Sequence, residues 1–305
     1  MSAAVTFSSY GDPDVLQVVE VDEPDPGPDQ IRVRVKAAGV QPFDCLFRSG
    51  KAHQWMPASF PQRLGNEFAG VIDAIGEDVR DCAVGDEVLG WAGSSSHAEH
   101  VVIVTDQIVA KPPSMPWTEA GALSASGQTA ATALTQLAVG QNDTVLIHAA
   151  AGGVGSFAVQ IATTLGATVI GTASERNHDY LRSLGAIPVS YGDGLARRVG
   201  ALAPDGVDAA IDAAGTTEAL HVSLELVADK NRIGAVAFNP AAAALGVRRL
   251  STERSAAQLA ELTELYTQGK LQIHIHKTFS LTQAADAHRE VETGHVRGKV
   301  VLTVT

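Results

Sequence analysis

The apolar residues of this chain change their period near residue 120, and the change predicts two kinds of structure. Before that point, short apolar runs alternate with polar residues; in 31–37, charged residues occupy every second position. Such alternation is typical of a β-strand with one face in water. From about Trp117, apolar strands alternate with segments of helical spacing. The pattern predicts a β-rich part followed by a βαβ part.

The β-rich part contains further short strands, which turn residues such as Val84-Gly85-Asp86 separate. They are predicted at 70–76, 87–90 and 100–104.

The later part predicts a parallel, doubly wound sheet, because strands and helices alternate and the strands are apolar on both faces. Two helices and two strands then complete the chain. The predicted elements are strands at 143–148 and 168–172, a helix at 177–184, strands at 187–189 and 207–211, a helix at 220–226, a strand at 232–238, a helix at 256–268, a strand at 274–279, a helix at 282–293 and a strand at 299–304.

The stretch HAAAGGVGSFAVQ, residues 148–160, lies where the first of these strands turns into a helix. Glycine there permits a tight turn, and the N–H groups at a helix start favour an anion. On the dinucleotide fingerprint, Gly152 and Gly155 match glycine positions, and Ala150 departs from the first. Close helix packing is the alternative explanation. The prediction is a pyrophosphate turn formed by Ala151, Gly152, Gly153, Val154 and Gly155.

The end of the second strand bears on the choice of dinucleotide. NAD sites usually place an acidic residue there for the ribose, whereas Thr172 and Ala173 are small and uncharged. Ser174 and Arg176 offer donors to a 2′-phosphate, with Glu175 as counter-evidence and a solvated loop as the alternative. The sequence favours NADPH over NADH.

Composition excludes several classes of protein. Over 305 residues, 45% are hydrophobic and 18% charged, which suits a globular protein with a substantial core. A net charge of −12 argues against nonspecific binding of nucleic acid or anionic membrane. Two cysteines, Cys45 and Cys82, form no disulfide framework or four-cysteine metal site. Without a signal-peptide pattern or a long apolar run, a cytoplasmic location is expected.

Six stretches resemble the zinc-independent quinone oxidoreductases, similar to zeta-crystallin, of the medium-chain dehydrogenase/reductase superfamily. The resemblance implies an α/β protein with a GroES-like β-rich catalytic domain, residues 1–122 and 251–305, and an inserted Rossmann domain, residues 123–250. The stretches are AAGVQPFDCLFRSG (37–50), LGNEFAGVIDAIG (64–76), VGDEV (84–88), AAAGGVGSFAVQIA (149–162), VDAAIDAAG (207–215) and HVRGKVVL (295–302).

The resemblance also bears on zinc. Where the zinc-dependent members carry Cys, His and Cys, this chain has Gln41, Asn66 and Ala125. The neighbouring Glu67 cannot hold zinc alone, and His97 with His100 is explained by packing or surface positions. We therefore expect no catalytic metal.

Without a Lewis acid, forming an alkoxide from an ordinary alcohol is difficult at neutral pH. A conjugated acceptor is already electron-poor and needs only positioning and stabilisation of the developing oxygen charge. The prediction is therefore hydride transfer from NADPH to a quinone or an α,β-unsaturated ketone (an enone), the acceptor classes that the resemblance also implies.

Further cofactor contacts follow from the resemblance and from the predicted strand ends. Tyr191 matches a position against the adenosine phosphate, and Thr129 one near the nicotinamide carboxamide, with a plain helix hydroxyl as its alternative. Val236, Ala237 and Phe238, at a predicted strand end, are expected to line the nicotinamide. For Lys299, a cofactor contact and a structural role are both open. A strand near 247–249 matches one that joins subunits edge to edge, which predicts a homodimer.

On the acceptor side, the resemblance points to Gln41 and Asp44 as the polar candidates, with Gln41 standing where the family's stretch carries Asn. Asp44 could equally be a buried turn acceptor. Ala52 stands where relatives often carry a tyrosine that serves enoyl-thioester reductases as a proton donor. His53, Trp55 or solvent are the remaining possibilities. The alternatives are an enoyl-thioester or carbonyl reductase, or a cofactor-binding protein with little activity.

Overall fold

The computed structural model describes residues 1–304, which form two compact units. One unit contains Met1–Ala125, Ser255–Glu264 and the residues from Ile273 onward; the other contains Ser126–Arg254 and Leu265–Gln272. The functional domain boundaries after residues 122 and 250 stay a prediction.

The strands, in chain order, are β1 (Ser2–Phe7), β2 (Gln17–Val21), β3 (Gln30–Val40), β4 (Gln62–Arg63), β5 (Glu67–Ile75), β6 (Glu87–Trp91), β7 (His100–Val104), β8 (Ile108–Ala110), β9 (Thr144–His148), β10 (Thr168–Thr172), β11 (Ile187–Val189), β12 (Ala209–Asp212), β13 (Ile233–Ala235), β14 (Arg248–Arg249), β15 (Ile275–Ser280) and β16 (Lys299–Thr303).

The α-helices are α1 (Pro42–Arg48), α2 (Trp117–Ala120), α3 (Ser124–Gln136), α4 (Gly153–Thr164), α5 (His178–Ser183), α6 (Leu195–Leu202), α7 (Thr217–Leu226), α8 (Ala241–Ala244), α9 (Ala256–Thr267) and α10 (Ala284–Glu292). No helix among residues 1–304 is both long enough and apolar enough to cross a bilayer.

The β-rich unit is built on a seven-stranded sheet of order β15-β16-β3-β5-β6-β8, with β7 also paired to β3. The long strand β3 shows the predicted alternation, because Ile31, Val33 and Val35 are buried whereas Arg34 is exposed. A smaller sheet of order β2-β1-β4 completes the unit.

The other unit contains a six-stranded parallel sheet of order β11-β10-β9-β12-β13-β14. Counted from β9, this is the order 3-2-1-4-5-6 of dinucleotide-binding folds. The apolar strand β9 lies between β10 and β12, with Val145 beside Val169 and Ala209. The predicted doubly wound parallel sheet is confirmed.

Two features of this sheet correct the sequence prediction. The strand expected at 232–238 ends at Ala235, because the N–H groups of Val236 and Ala237 donate to the Asp212 carbonyl at 2.9 and 3.2 Å. Helix α6 was not predicted. Its apolar residues Leu195, Val199 and Leu202 are spaced i, i+4 and i+7, so the sequence does carry a helical period here, although a short one.

The turn between β9 and α4 fits against β10 through a pair of small residues. A Cβ added to Gly171 of β10 would lie 2.8 Å from the Cβ of Ala150 and 3.2 Å from Leu181 Cδ1. The alanine that departs from the fingerprint therefore occupies space that glycine in the next strand leaves open.

We predict that Gly171→Ala lowers the free energy of unfolding by about 1–3 kcal/mol, since it overpacks a buried contact. Restoring the fingerprint glycine in the double variant Ala150→Gly/Gly171→Ala should recover part of that loss. Gly140→Ala is the control, because a Cβ there meets nothing within 4 Å. Urea unfolding of the four proteins measures the effect; equal losses in the Gly171 single and double variants would contradict it.

Candidate functional site

The parallel strands of the Rossmann-type sheet all end at one edge, where ligands bind in such sheets. Strand β9 ends at His148 and β12 at Asp212, and these two residues are register partners. The chain order reverses between these strands, since β10 and β11 lie on one side of β9 and β12 to β14 on the other. This edge is therefore the candidate cofactor site.

The glycine stretch forms a tight turn at this edge. Ala149 has a left-handed φ of 53°, and the Gly152 N–H donates to the Ala149 carbonyl at 3.0 Å. Gly152 is the N-cap of α4 and has no side chain to cap the helix, so the first-turn N–H groups of residues 153–155 have no cap from it. The geometry suits an anion at the helix start.

Gly155 holds α4 close to this turn. A Cβ at Gly155 would lie 2.3 Å from the Ala149 carbonyl oxygen and 2.7 Å from Ala150 Cα. Both atoms belong to the backbone and cannot move aside as a flexible side chain can. The turn is also tied to β10, because Ala150 N donates to Thr172 O at 2.9 Å and Ala149 N to Thr172 Oγ1 at 3.1 Å.

Ser174, Arg176 and Tyr191 follow the neighbouring strands β10 and β11 at the same edge. The Ala173 N–H donates to Val189 O at 3.0 Å, which joins the two strand ends. Ser174 is half-buried, Arg176 is exposed, and Tyr191 is 55% exposed. The structure brings these three predicted residues to adjacent loops.

Asp212 organises the other side of the edge. Its Oδ1 accepts the N–H groups of Ala214 and Gly215 at 2.8 and 2.9 Å, while its carbonyl accepts those of Val236 and Ala237. Burial raises the pKa of the Asp212 carboxyl, whose Oδ2 has no hydrogen-bond partner. One residue thus fixes both loops, including the segment that leads to Phe238, which is 40% exposed.

Two more residues of this unit complete the description. Thr129 on α3 is half-buried and its hydroxyl lies 2.8 Å from that of Thr252. His148 is buried, with Nε2 3.1 Å from Ser223 Oγ, and burial lowers its pKa to about 4. His148 is therefore neutral at pH 7 and serves as a packing residue.

In the β-rich unit, the buried carboxylate of Glu67 gathers residues from distant parts of the chain. Its Oε1 accepts hydrogen bonds from the Gln41 amide and from Lys299 Nζ, the latter at 2.9 Å. Its Oε2 accepts the Ala125 N–H at 2.6 Å. The Lys299 and Glu67 side chains are only 3% and 0% exposed. Of the two roles left open for Lys299, these contacts support the structural one, in which it forms a buried ion pair with Glu67.

Asp44 supports Gln41 from the other side. Its Oδ2 accepts the Gln41 N–H at 2.7 Å, and its Oδ1 accepts the Asn66 amide at 2.8 Å. Burial raises the pKa of this carboxyl, opposed by the nearby His97 and by these hydrogen bonds. The contacts match the turn-acceptor alternative for Asp44, and they fix the backbone from which the Gln41 side chain extends.

The residues around Glu67 do not fit a zinc ion. Gln41 and Asn66 offer amides, Ala125 offers a backbone N–H, and both oxygens of Glu67 already accept hydrogen bonds. The zinc site of the dehydrogenases that the chain resembles needs thiolate and imidazole ligands at these positions.

His97 and His100 do not form a site together. His97 is buried with Nε2 3.0 Å from Gly39 O, whereas His100 lies 3.2 Å from Asp73. Within residues 1–304, only one group of three side chains comes close enough to share a metal, namely Glu23, Asp73 and His100. The Arg32 guanidinium pairs with the carboxylates of Glu23 and Asp73, each at 2.8 Å, and so supplies the positive charge that balances this group.

Sequence reasoning missed Glu67 and Asp212 as organising residues. Both are acidic residues at one end of otherwise apolar stretches, EFAGVI at the start of β5 and AAID in β12, and a buried carboxylate must find donors. That composition signals a buried polar group but does not name its donors. The donors to Glu67 come from segments far along the chain, whereas Asp212 Oδ1 accepts the N–H groups of Ala214 and Gly215 nearby.

Comparison with known families matches two models to this chain. The alcohol dehydrogenase GroES-like domain matches residues 27–114, and the zinc-binding dehydrogenase domain matches residues 184–302. The zinc-binding dehydrogenase match does not include residues 41, 66 and 125. The words "zinc-binding" in its name therefore say nothing about a metal at those three positions.

Relatives match over nearly the whole chain. The quinone oxidoreductase of Pseudomonas aeruginosa is 32% identical and is covered over 99% of both chains. Among solved structures, Escherichia coli quinone oxidoreductase complexed with NADPH gives a TM-score of 0.88 at 26% identity, with 99% of both chains covered. The CurK enoyl reductase also gives 0.88, at 27% identity, covering 100% of this chain and 99% of that one.

We predict that Lys299→Met destabilises the protein by about 3–5 kcal/mol, because it leaves the Glu67 charge buried without its cation. Adding Glu67→Gln should recover much of the loss, so a double-mutant cycle by urea unfolding should show strong coupling. Lys277→Met removes an exposed partner of Glu290 at 3.3 Å and should cost under about 1 kcal/mol. Additive effects at residues 299 and 67 would contradict the ion-pair assignment.

Proposed function

The chain belongs to the quinone oxidoreductase branch of the medium-chain dehydrogenase/reductase superfamily, and we propose that it is an NADPH-dependent oxidoreductase acting on a conjugated acceptor. The observation that carries the proposal is the turn at 149–152, which presents the uncapped start of α4 at the carboxyl edge of a 3-2-1-4-5-6 sheet. The similar structure of Escherichia coli quinone oxidoreductase, which is complexed with NADPH, supports the same cofactor for this chain.

The residues present fit a dinucleotide. The N–H groups of residues 153–155 would hold the pyrophosphate, with Ala151 and Gly152 shaping the turn. The Val236 to Phe238 segment would line the nicotinamide, and Thr129 is proposed near its carboxamide. When bound, NADPH supplies a hydride from the reduced nicotinamide ring.

Selectivity for NADPH is assigned to Ser174, Arg176 and Tyr191. The strand end before them is uncharged, since Thr172 and Ala173 are buried and Thr172 Oγ1 already accepts the Ala149 N–H. An acidic side chain for the ribose is thus absent from these two positions. The Ser174 hydroxyl and the Arg176 guanidinium are donors suited to a 2′-phosphate.

On the acceptor side, Gln41 is proposed as the polar contact and Asp44 as the group that positions it. The Gln41 amide is oriented by Glu67, which accepts its N–H. The reaction is proposed to be metal-free, because amides and a backbone N–H stand at the positions of the zinc ligands. A quinone or enone suits this environment, since its conjugation replaces activation by a Lewis acid.

The second candidate is an enoyl-thioester reductase, which the likeness to the CurK enoyl reductase favours. Against it, Ala52 is completely buried at the position where the resemblance implies a tyrosine proton donor. The quinone or enone acceptor is therefore preferred over the thioester.

Three expectations stay predictions: a homodimer, a cytoplasmic location, and no binding of nucleic acid or membrane. For the dimer, β14 at Arg248–Arg249 is the last strand of the parallel sheet, the position that edge-to-edge pairing of two subunits would use.

The proposed activity predicts that the purified protein oxidises NADPH in the presence of a quinone, faster than NADH at equal concentration, and without loss of rate after exhaustive chelation. Steady-state assays with a panel of quinones, enones and an enoyl thioester measure this. Faster turnover of the thioester would favour the second candidate. NADPH oxidation that needs no acceptor would overturn the assignment of a conjugated acceptor. A preference for NADH would overturn the cofactor assignment, and a requirement for stoichiometric zinc would overturn the metal-free reaction.

The pyrophosphate turn predicts a contrast between two glycines of α4. Gly153→Val should weaken NADPH binding at least about tenfold in a folded protein, because a side chain would occupy the space of the phosphate. Gly155→Val should also lower the melting temperature, since its Cβ meets backbone atoms. Fluorescence titration beside a thermal melt tests both, with Gly200→Val on α6 as a control in open space. Normal NADPH binding by Gly153→Val would exclude this turn as the phosphate site.

A further inference from the structure

The loop that carries Tyr191 is rich in glycine, and its own side chains do little to fix its conformation. It runs from Ser190 to Gly194, and Gly192 and Gly194 both have left-handed backbone angles, with φ of 95° and 77°. A Cβ at Gly192 would meet nothing within 4 Å, so the loop is not packed there. Glycine-rich loops lose much conformational entropy when they are ordered.

Arg198, on the second turn of α6, ties this loop down. Its Nη2 donates to Ser190 O at 2.8 Å and to Gly192 O at 2.9 Å, its Nη1 to Asp193 O at 2.6 Å, and its Nε to Ser190 O at 3.2 Å. The planar guanidinium thus engages the carbonyls on both sides of Tyr191. Only arginine offers donors in such a fixed fork.

The same loop is joined to the one that carries Ser174 and Arg176. Ser190 Oγ lies 3.4 Å from His178 Nε2, at the start of α5. The Asn177 N–H donates to Ser174 O at 2.8 Å. The Arg198 fork therefore fixes one of two linked loops whose residues are assigned to the adenosine phosphate end of the cofactor.

We propose that Arg198 is a positioning residue for cofactor selectivity: by fixing the carbonyls that flank Tyr191, it holds that side chain where the 2′-phosphate end of NADPH binds. This inference rests on the proposed NADPH-dependent function. In this arrangement four of the five guanidinium N–H groups of Arg198 donate to loop carbonyls, so its role is assigned to holding the loop.

The neighbouring Arg197 provides a matched control. It lies on the same helix with the same charge, and it is exposed. A purely electrostatic contribution of Arg198 to NADPH binding would be retained by a lysine at that position, which keeps the charge. A positioning contribution requires the fork, which lysine lacks.

The experiment measures dissociation constants for NADPH and NADH with wild type, Arg198→Lys, Arg198→Met and Arg197→Met, each with a thermal melt. We expect both Arg198 variants to weaken NADPH binding about tenfold and NADH binding less than threefold, and Arg197→Met to change either by less than twofold. NADPH binding by Arg198→Lys equal to wild type would overturn the proposal, as would equal effects at residues 197 and 198.

A second measurement separates positioning from general destabilisation. In a Tyr191→Ala background, Arg198→Lys should cause no further loss of NADPH affinity, because the side chain that it positions is already gone. A full additional loss there would overturn the proposal. Failure of the proposed function is distinguishable, since wild type would then bind no NADPH or bind NADH more tightly.

Discussion

The close approach of α4 to the turn after β9 is the constraint on which the parallel-sheet unit depends. At Gly155 there is no room for even one carbon beside the Ala149 carbonyl. That contact brings the helix start to the end of the central strand, where its N–H groups face the carboxyl edge. The adjoining pair of Ala150 and Gly171 shows how tightly the sheet accommodates this turn.

At that edge, two charged side chains form hydrogen bonds with backbone groups of the loops. The Asp212 carboxylate and carbonyl collect four N–H groups from two loops, and the Arg198 guanidinium collects carbonyls from a third. Loops at such an edge have few apolar contacts of their own, so buried or half-buried hydrogen bonds must define their shape. The residues assigned to the cofactor are carried on loops fixed in this way.

In the β-rich unit, the main constraint is the burial of a charged side chain. Glu67 is completely buried, and removing a carboxylate from water costs free energy that is offset only when its oxygens are paired. Lys299, Gln41 and the Ala125 N–H satisfy it, so the same contacts that balance the charge also orient the Gln41 amide. The candidate acceptor contact is therefore coupled to the stability of the unit.

The sequence by itself determined the α/β class, the doubly wound parallel sheet, the glycine turn and the position of nearly every strand in that sheet, because period and turn residues are local properties. It also supplied Gln41, Asn66 and Ala125 as residues unsuited to zinc. Only the tertiary structure decided where β13 ends and that Glu67, Asp212 and Arg198 organise the candidate sites. Glu67 pairs with Lys299 far along the chain, and no local period encodes such a partner. Asp212 and Arg198 bind backbone groups of nearby loops, whose N–H and carbonyl groups are brought into position only by the folded shape of those loops.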